Sequence, residues 1–127
     1  GDGYVVHHEE VEDQLAFRRD WLRKRNLSPK SLRVIHAVGD SMADRIQDGD
    51  VLLVDTSQRE IKDGKVYALS YDDAVRVKRL FTRFDGTLVL HSDNPNAKPR
   101  DEEVSPDKLE ALAVRIIGRV VWAGGDL

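Results

Sequence analysis

Cysteine is absent from the 127 residues, which excludes disulfides, thiolate metal centres and cysteine nucleophiles and fits a reducing compartment. Four prolines and nine glycines, in no repeating pattern, exclude collagen-like structure. No apolar run approaches the roughly 20 residues of a membrane span, and no leader-like pattern opens the sequence. Neither sign of charge dominates: 20 Lys+Arg against 23 Asp+Glu leave −3, so no strongly basic surface is declared. What is present is ordinary. Hydrophobic residues make up 40% and charged residues 34%, a composition that excludes disorder. The length can bury one moderate core and has no room for a second full-sized domain. A soluble, cytoplasmic domain is expected.

Residues 1–10 have no useful period and read as a loose arm. Residues 13–25 turn helical: Phe17 and Trp21 lie four apart, Leu15 and Leu22 flank them, and charges fill the rest. Asp13 is a candidate N-cap and Asn26 a candidate left-handed stop. Ser28-Pro29 predicts one short helical turn, a cap followed by a first-turn proline. Beyond it the pattern becomes strand-like. Strands are predicted over 32–38, 51–55, 65–71, 74–84, 87–91 and 112–122. Gln47-Asp48-Gly49-Asp50, Asp63-Gly64, Asp72-Asp73 and Asp85-Gly86 supply turns between them. Residues 92–100 form a polar loop, and 105–110 a further helical turn. Short strands at such spacing predict a mostly β, antiparallel domain with an N-terminal helix. Residues 1–12 are assigned to the arm and 13–127 to the domain.

The strongest local feature is Val38-Gly39-Asp40-Ser41-Met42. A serine just after a glycine turn presents its hydroxyl, and neighbouring backbone N–H groups can hold an oxyanion. The same serine can instead be a plain N-cap of the 42–46 turn. A hydroxyl nucleophile needs a base. His7 and His8 lie in the arm, His36 in a strand close to Gly39, and His91 at a strand end; none sits in a motif. Only the adjacent His7-His8 comes near ligand spacing, so neither a metal nor a cofactor is expected. Lys78, in Val75-Arg76-Val77-Lys78-Arg79-Leu80, is the other candidate base. A lysine deprotonates near neutrality only where burial among apolar groups penalises its charge. Alternatively, Arg76, Lys78 and Arg79 form a solvated stripe on a sheet. Asp40 reads as a turn residue or a neighbour of Lys78, and Met42 as core filling or a cleft wall. Phe17 and Trp21 would staple the helix to the sheet. Arg18, Arg19, Arg23, Lys24 and Arg25, with acids nearby, read as a solvated helix face.

Four segments in order carry a resemblance. They are Gly39-Asp40-Ser41-Met42, then Asp48-Gly49-Asp50-Val51-Leu52-Leu53-Val54-Asp55, then Asp63-Gly64-Lys65-Val66-Tyr67-Ala68-Leu69, then Val77-Lys78-Arg79-Leu80. This series resembles the C-terminal domains of LexA-like and lambdoid phage repressors, the Ser-Lys peptidase family S24 that also contains the mutagenesis protein UmuD. Lys78 follows Ser41 by 37 positions, similar to the family's nucleophile-to-base spacing. Ser92-Asp93-Asn94-Pro95 resembles a loop of the phage-repressor branch, and Ile117-Gly118-Arg119-Val120-Val121-Trp122 its last strand. The likeness runs from about residue 32 to 122.

The resemblance implies a β-rich, LexA/signal-peptidase-like fold that cuts its own chain once. Ser41 would be the nucleophile, Lys78 the general base, and the turn Gly39, Asp40, Ser41 and Met42 the oxyanion frame. In the family the cut follows a helix-turn-helix domain, and a RecA-like recombinase filament stimulates it. Operator DNA would then be read by a portion outside this chain. The apolar last strand is read as an edge whose Val114, Ile116, Val120 and Trp122 make a homodimer surface. Two departures stand beside this. No Ala-Gly or Cys-Gly pair precedes Ser41, and the only Ala-Gly is Ala123-Gly124. Gly1 is therefore read as the residue just after a cut, or the parent protein releases DNA by another route. The rival readings are an uncleaved interaction module of the same fold and a UmuD-like subunit.

Overall fold

A computed structural model describes residues 2–6 and 19–125, with side chains from residue 19 onward. The described strands are β1 (Asp2–Val6), β2 (Leu32–Val38), β3 (Val51–Asp55), β4 (Lys65–Tyr71), β5 (Ala74–Thr82), β6 (Leu88–His91), β7 (Asp101–Val104) and β8 (Arg115–Gly124). Helix α1 (Arg19–Lys24), a 3-10 turn (Pro29–Ser31) and helix α2 (Pro106–Ala111) complete the elements. The fold is thus mostly β, as expected. Every pairing is antiparallel, in the order β1-β2-β3-β8-β4-β5-β6-β7. β1 also meets β5, with Asp2 opposite Arg76, so six strands close into a ring from which β6 and β7 extend.

Local chemistry accounts for most of these boundaries. Asn26 has φ +56°, and Leu27 donates its N–H to the Leu22 carbonyl at 2.9 Å, the left-handed stop expected at the end of α1. Asp72 and Asp73 both have positive φ, +54° and +59°, as a mirror-image turn between twisted strands demands. Pro29 opens the 3-10 turn and Pro106 opens α2, where a missing N–H costs nothing.

Two expectations are corrected. Part of the supposed arm is strand β1, paired along its length with β2. It was illegible because Asp2-Gly3-Tyr4-Val5-Val6 lacks alternation; its order comes from the ladder it joins. The last strand is not an edge, because β8 runs between β3 and β4. Its apolar character reflects a central position. Gly118 marks that position: a Cβ there would lie 2.3 Å from the Asp55 carbonyl oxygen, so only glycine lets β8 cross β3 this closely. The helix expected over 13–25 is seen from Arg19 to Lys24; its beginning, with Asp13, Phe17 and Arg18, lies outside the described residues, as do His7 and His8.

Three apolar clusters fill the interior. Ile35, Ala37, Met42, Ile46, Leu52, Val54, Ala68 and Val77 pack beneath the serine turn. Leu22 and Leu27 dock α1 on Leu32, Val34 and Leu53, with half-buried Trp21 against them. Tyr67, Leu69, Leu80, Leu88 and Leu90 form the third cluster, under β6. Each fully buried aliphatic side chain contributes about 1.5–3 kcal/mol, so these clusters stabilise the frame around the site. Among the described residues, no helix is long and apolar enough to cross a membrane.

Candidate active site

The serine turn follows directly from β2. Gly39, at φ +89°, reverses the strand, and its N–H donates to Asp48 Oδ1 at 2.7 Å. Ala43 N–H then bonds the Asp40 carbonyl at 3.0 Å and Ile46 N–H the Met42 carbonyl at 2.9 Å, closing one tight turn that carries Ser41. Met42 is 2% exposed and pins the turn to the first cluster. Met42 is therefore core filling, and the carboxylate that fixes this turn is that of Asp48.

Lys78 sits in β5 with only 7% of its surface exposed, flanked by Val77 at 1% and Leu80 at 0%. The solvated-stripe reading of β5 is thereby excluded. Lys78 Nζ donates to Ser92 Oγ at 2.8 Å, and Ser92 is itself 2% exposed. Its neighbour Arg79 behaves differently. Arg79 grips Asp93 through two bonds, Nε to Oδ1 at 2.9 Å and Nη2 to Oδ2 at 2.7 Å, and donates Nη1 to the Gly64 carbonyl at 2.6 Å. The Arg79 bonds hold the Asp93 carboxyl below the ordinary carboxylate range and push the guanidinium further up.

The loop after β6 joins these two halves. Ser92 binds the lysine, and Asp93 clamps Arg79 while donating its N–H to Met42 Sδ at 3.5 Å. Asn94 reaches the serine turn twice: its N–H bonds the Ser41 carbonyl at 2.9 Å, and its Nδ2 bonds the Asp40 carbonyl at 2.9 Å. Three consecutive residues thus hold Lys78, Arg79 and the turn that carries Ser41. The loop is shaped by Asn94 Oδ1 accepting Asn96 N–H at 2.9 Å, and by Arg100 donating to the Ser92 carbonyl at 3.2 Å and the Asp93 carbonyl at 3.3 Å.

A family profile described as Peptidase S24-like matches residues 2–121, nearly the whole chain and all of this constellation. The chain belongs to the S24-like peptidase family. It is 34% identical over 122 residues to the HTH-type transcriptional regulator PrtR of Pseudomonas aeruginosa, covering 96% of this chain and 47% of that protein. It is 30% identical over 124 residues to repressor protein CI of Enterobacteria phage phi80, covering 96% of this chain and 50% of the repressor. With the LexA repressor of Vibrio campbellii it shares 38% identity over 97 residues, 74% of this chain and 46% of LexA. The chain spans about half the length of the curated relatives it matches, and those relatives are repressors or transcriptional regulators.

The remaining candidates of the S24-like domain are placed as follows. His91 is held by Asp101, Nδ1 to Oδ1 at 2.6 Å, with Asp93 3.7 Å from its other nitrogen. His36 lies in β2, opposite Val51 of β3. Arg76 stacks over the Tyr71 ring at 4.7 Å and Arg25 over Trp21 at 4.6 Å. Arg23 and Asp20 face each other at 3.8 Å in solvent, as a solvated helix face should. Of the residues expected at a dimer surface, Trp122 is 42% exposed and lines a shallow cleft with Arg45, Lys65, Arg79 and Arg119. Val114 and Ile116 are half-buried against the third cluster, and Val120 against the first.

Sequence reasoning singled out the Ser92 loop as a family likeness and missed its role in the site. A signal was present. The Asp85-Gly86 turn sets the β5–β6 register, whose outermost pair is Arg79 with His91; one further step along the ladder puts Lys78 opposite Ser92.

Proposed function

We propose that this chain is the dimerising, self-cleaving portion of a LexA- or CI-like transcriptional repressor. The observation that carries the reading is the Ser92–Asn94 loop, which ties a buried lysine to the turn bearing half-buried Ser41 within one hydrogen-bonded unit. Ser41 Oγ attacks the scissile carbonyl carbon while neutral Lys78 takes its proton. The tetrahedral oxyanion is held by backbone N–H groups of the Gly39–Met42 turn. The C–N bond then breaks, with Lys78 returning the proton to the leaving amine. Water, deprotonated by the same lysine, releases the ester. Strand β1 passes near the lysine: Asp2 pairs with Arg76, two positions from Lys78 along β5, a separation of about 7 Å in a strand.

Cleavage would sever the dimerising portion from a DNA-reading portion outside this chain. Two half-site readers held together bind an operator far more tightly than either alone, so scission abolishes repression. A RecA-like filament is the expected activator, and exposed Trp122 the expected centre of a homodimer surface.

The test uses the chain extended upstream of Gly1 as its gene encodes it, incubated at mildly alkaline pH beside a Ser41→Ala control. Intact mass should show one cut that requires Ser41, faster as pH rises because the neutral amine is the working base. A pH-independent rate removes Lys78 from that role. Intact protein in both samples, with an activated filament added, establishes the uncleaved interaction module instead. Separately, Trp122→Asp should move the sedimentation coefficient toward monomer with the far-ultraviolet dichroism unchanged; an unaltered oligomer removes the dimer surface.

A further inference from the structure

We infer that Ser92 is a positioning residue for the lysine base, fixing which way the Lys78 amine presents its lone pair; this rests on the self-cleavage reading above. A neutral amine has two N–H bonds and one lone pair, and only the lone pair can accept the proton of an attacking hydroxyl. Lys78 Nζ donates to Ser92 Oγ at 2.8 Å, where both residues are nearly closed to solvent. One N–H spent on Ser92 stops free rotation about the Cε–Nζ bond and turns the lone pair away from Ser92. The acceptor is itself immobile. Its backbone N–H bonds the Arg100 carbonyl at 2.8 Å, its carbonyl accepts from Arg100 Nε, and the next residue is clamped by Arg79. Asn94, two residues on, bonds the Ser41 carbonyl, so the loop that orients the base also sets the distance to the nucleophile's turn. A base misplaced by about 1 Å costs up to a hundredfold in rate, which is the scale on which such orientation acts.

Several charged and titratable groups lie on the described elements packed around the pair. Arg79 and Asp93 neutralise each other, His91 is held by Asp101 and Asp93, and Arg76 lies two residues away on β5. Tyr67, opposite Lys78 on β4, gives its hydroxyl to the Glu60 carbonyl and accepts from Lys62 N–H, while Asp40 stands on the serine turn. Against that background, Ser92 Oγ favours the ammonium over the amine, because a hydrogen bond to the charged form is the stronger one.

Ser92→Ala, made in the upstream-extended protein, should lower the high-pH plateau of the cleavage rate roughly tenfold or more. It should also shift the midpoint of the pH–rate profile to lower pH. Ser92→Thr, which keeps the hydroxyl, should restore both. Loosened packing alone would lower the plateau and leave the midpoint where it was. An unchanged plateau and midpoint in Ser92→Ala overturns the inference while the Ser41–Lys78 reading stands. No Ser41-dependent cut in the unmutated protein overturns both. Should Ser92→Ala fail the dichroism check, Ser92→Cys decides: a similar shape with a poor acceptor cleaves at full rate only if the hydroxyl is filler.

Discussion

Two adjacent cations on β5 meet opposite treatments. Arg79 is given a carboxylate, bound through two nitrogens, and stays partly open to solvent. Lys78 is almost wholly enclosed, and its nitrogen meets a hydroxyl. A carboxylate fixes the charge of its partner and turns the pair into a brace; a hydroxyl orients a nitrogen and holds its proton far less firmly. One residue of offset along a strand therefore separates a cation braced by a carboxylate from one that, on the self-cleavage reading, does the chemistry. The loop supplies both partners in consecutive positions, Ser92 and Asp93, so the Arg79 brace and Lys78 are aligned by the same few backbone bonds.

The sharpest way to break this contrast is to make position 78 behave like 79. Lys78→Arg places a guanidinium, which does not deprotonate in proteins, where the self-cleavage reading needs a neutral amine. Self-cleavage should fall by roughly 10²–10⁴-fold, the usual worth of a general base, as read by intact mass against time. Cleavage within tenfold of the original rate would return Lys78 to the class of structural cations. The next effect is smaller and falls on stability. Asp93→Asn removes the charge from the brace and should cost about 1–3 kcal/mol in urea unfolding near neutral pH. Its pH dependence fixes the sign. The folded-state carboxyl of Asp93 lies below its ordinary value, so the brace is fully present above the unfolded carboxylate range near about 4 and is lost as pH falls through the lower folded value. The stability gap between the two proteins should close on acidification; a constant gap would mean that Asp93 acts through packing, not charge.

Much of this was legible beforehand, for identifiable reasons. The strands over 32–38, 51–55 and 65–71 match the observed bounds because β-branched runs ended at Gly and Asp turns that the chain cannot cross as strand. Asn26 signalled a left-handed stop and Asp72-Asp73 a tight hairpin, and all three residues have positive φ. Ser41 and Lys78 were named from a motif series, and the structure places them on elements linked by one loop. What escaped was set by tertiary partners. β1 owes its strand form to β2, and β7, a short Asp-Glu-Glu-Val segment, owes its form to β6. Trp122 is exposed and Val120 half-buried two residues apart, because the β3–β8 register shifts between Leu53 and Val54, and no periodicity shows a bulge.

The buried acid at the other end of the ring completes the picture. Burial pushes the Asp55 carboxyl up, yet bonds from the Ser57 hydroxyl and N–H and from Gln58 more than offset this and leave it below the usual range. It caps the turn over which Gly118 passes, far from any chemistry assigned to the chain.

The closure of β1 onto both β2 and β5 carries a consequence for what survives a cut. Among the described residues, every rung that β1 makes with β2 and β5 lies at or after Asp2, so a peptide bond broken before Asp2 would leave these rungs in place. On the self-cleavage reading, scission there would change the connectivity of the chain and leave the described sheet as it is.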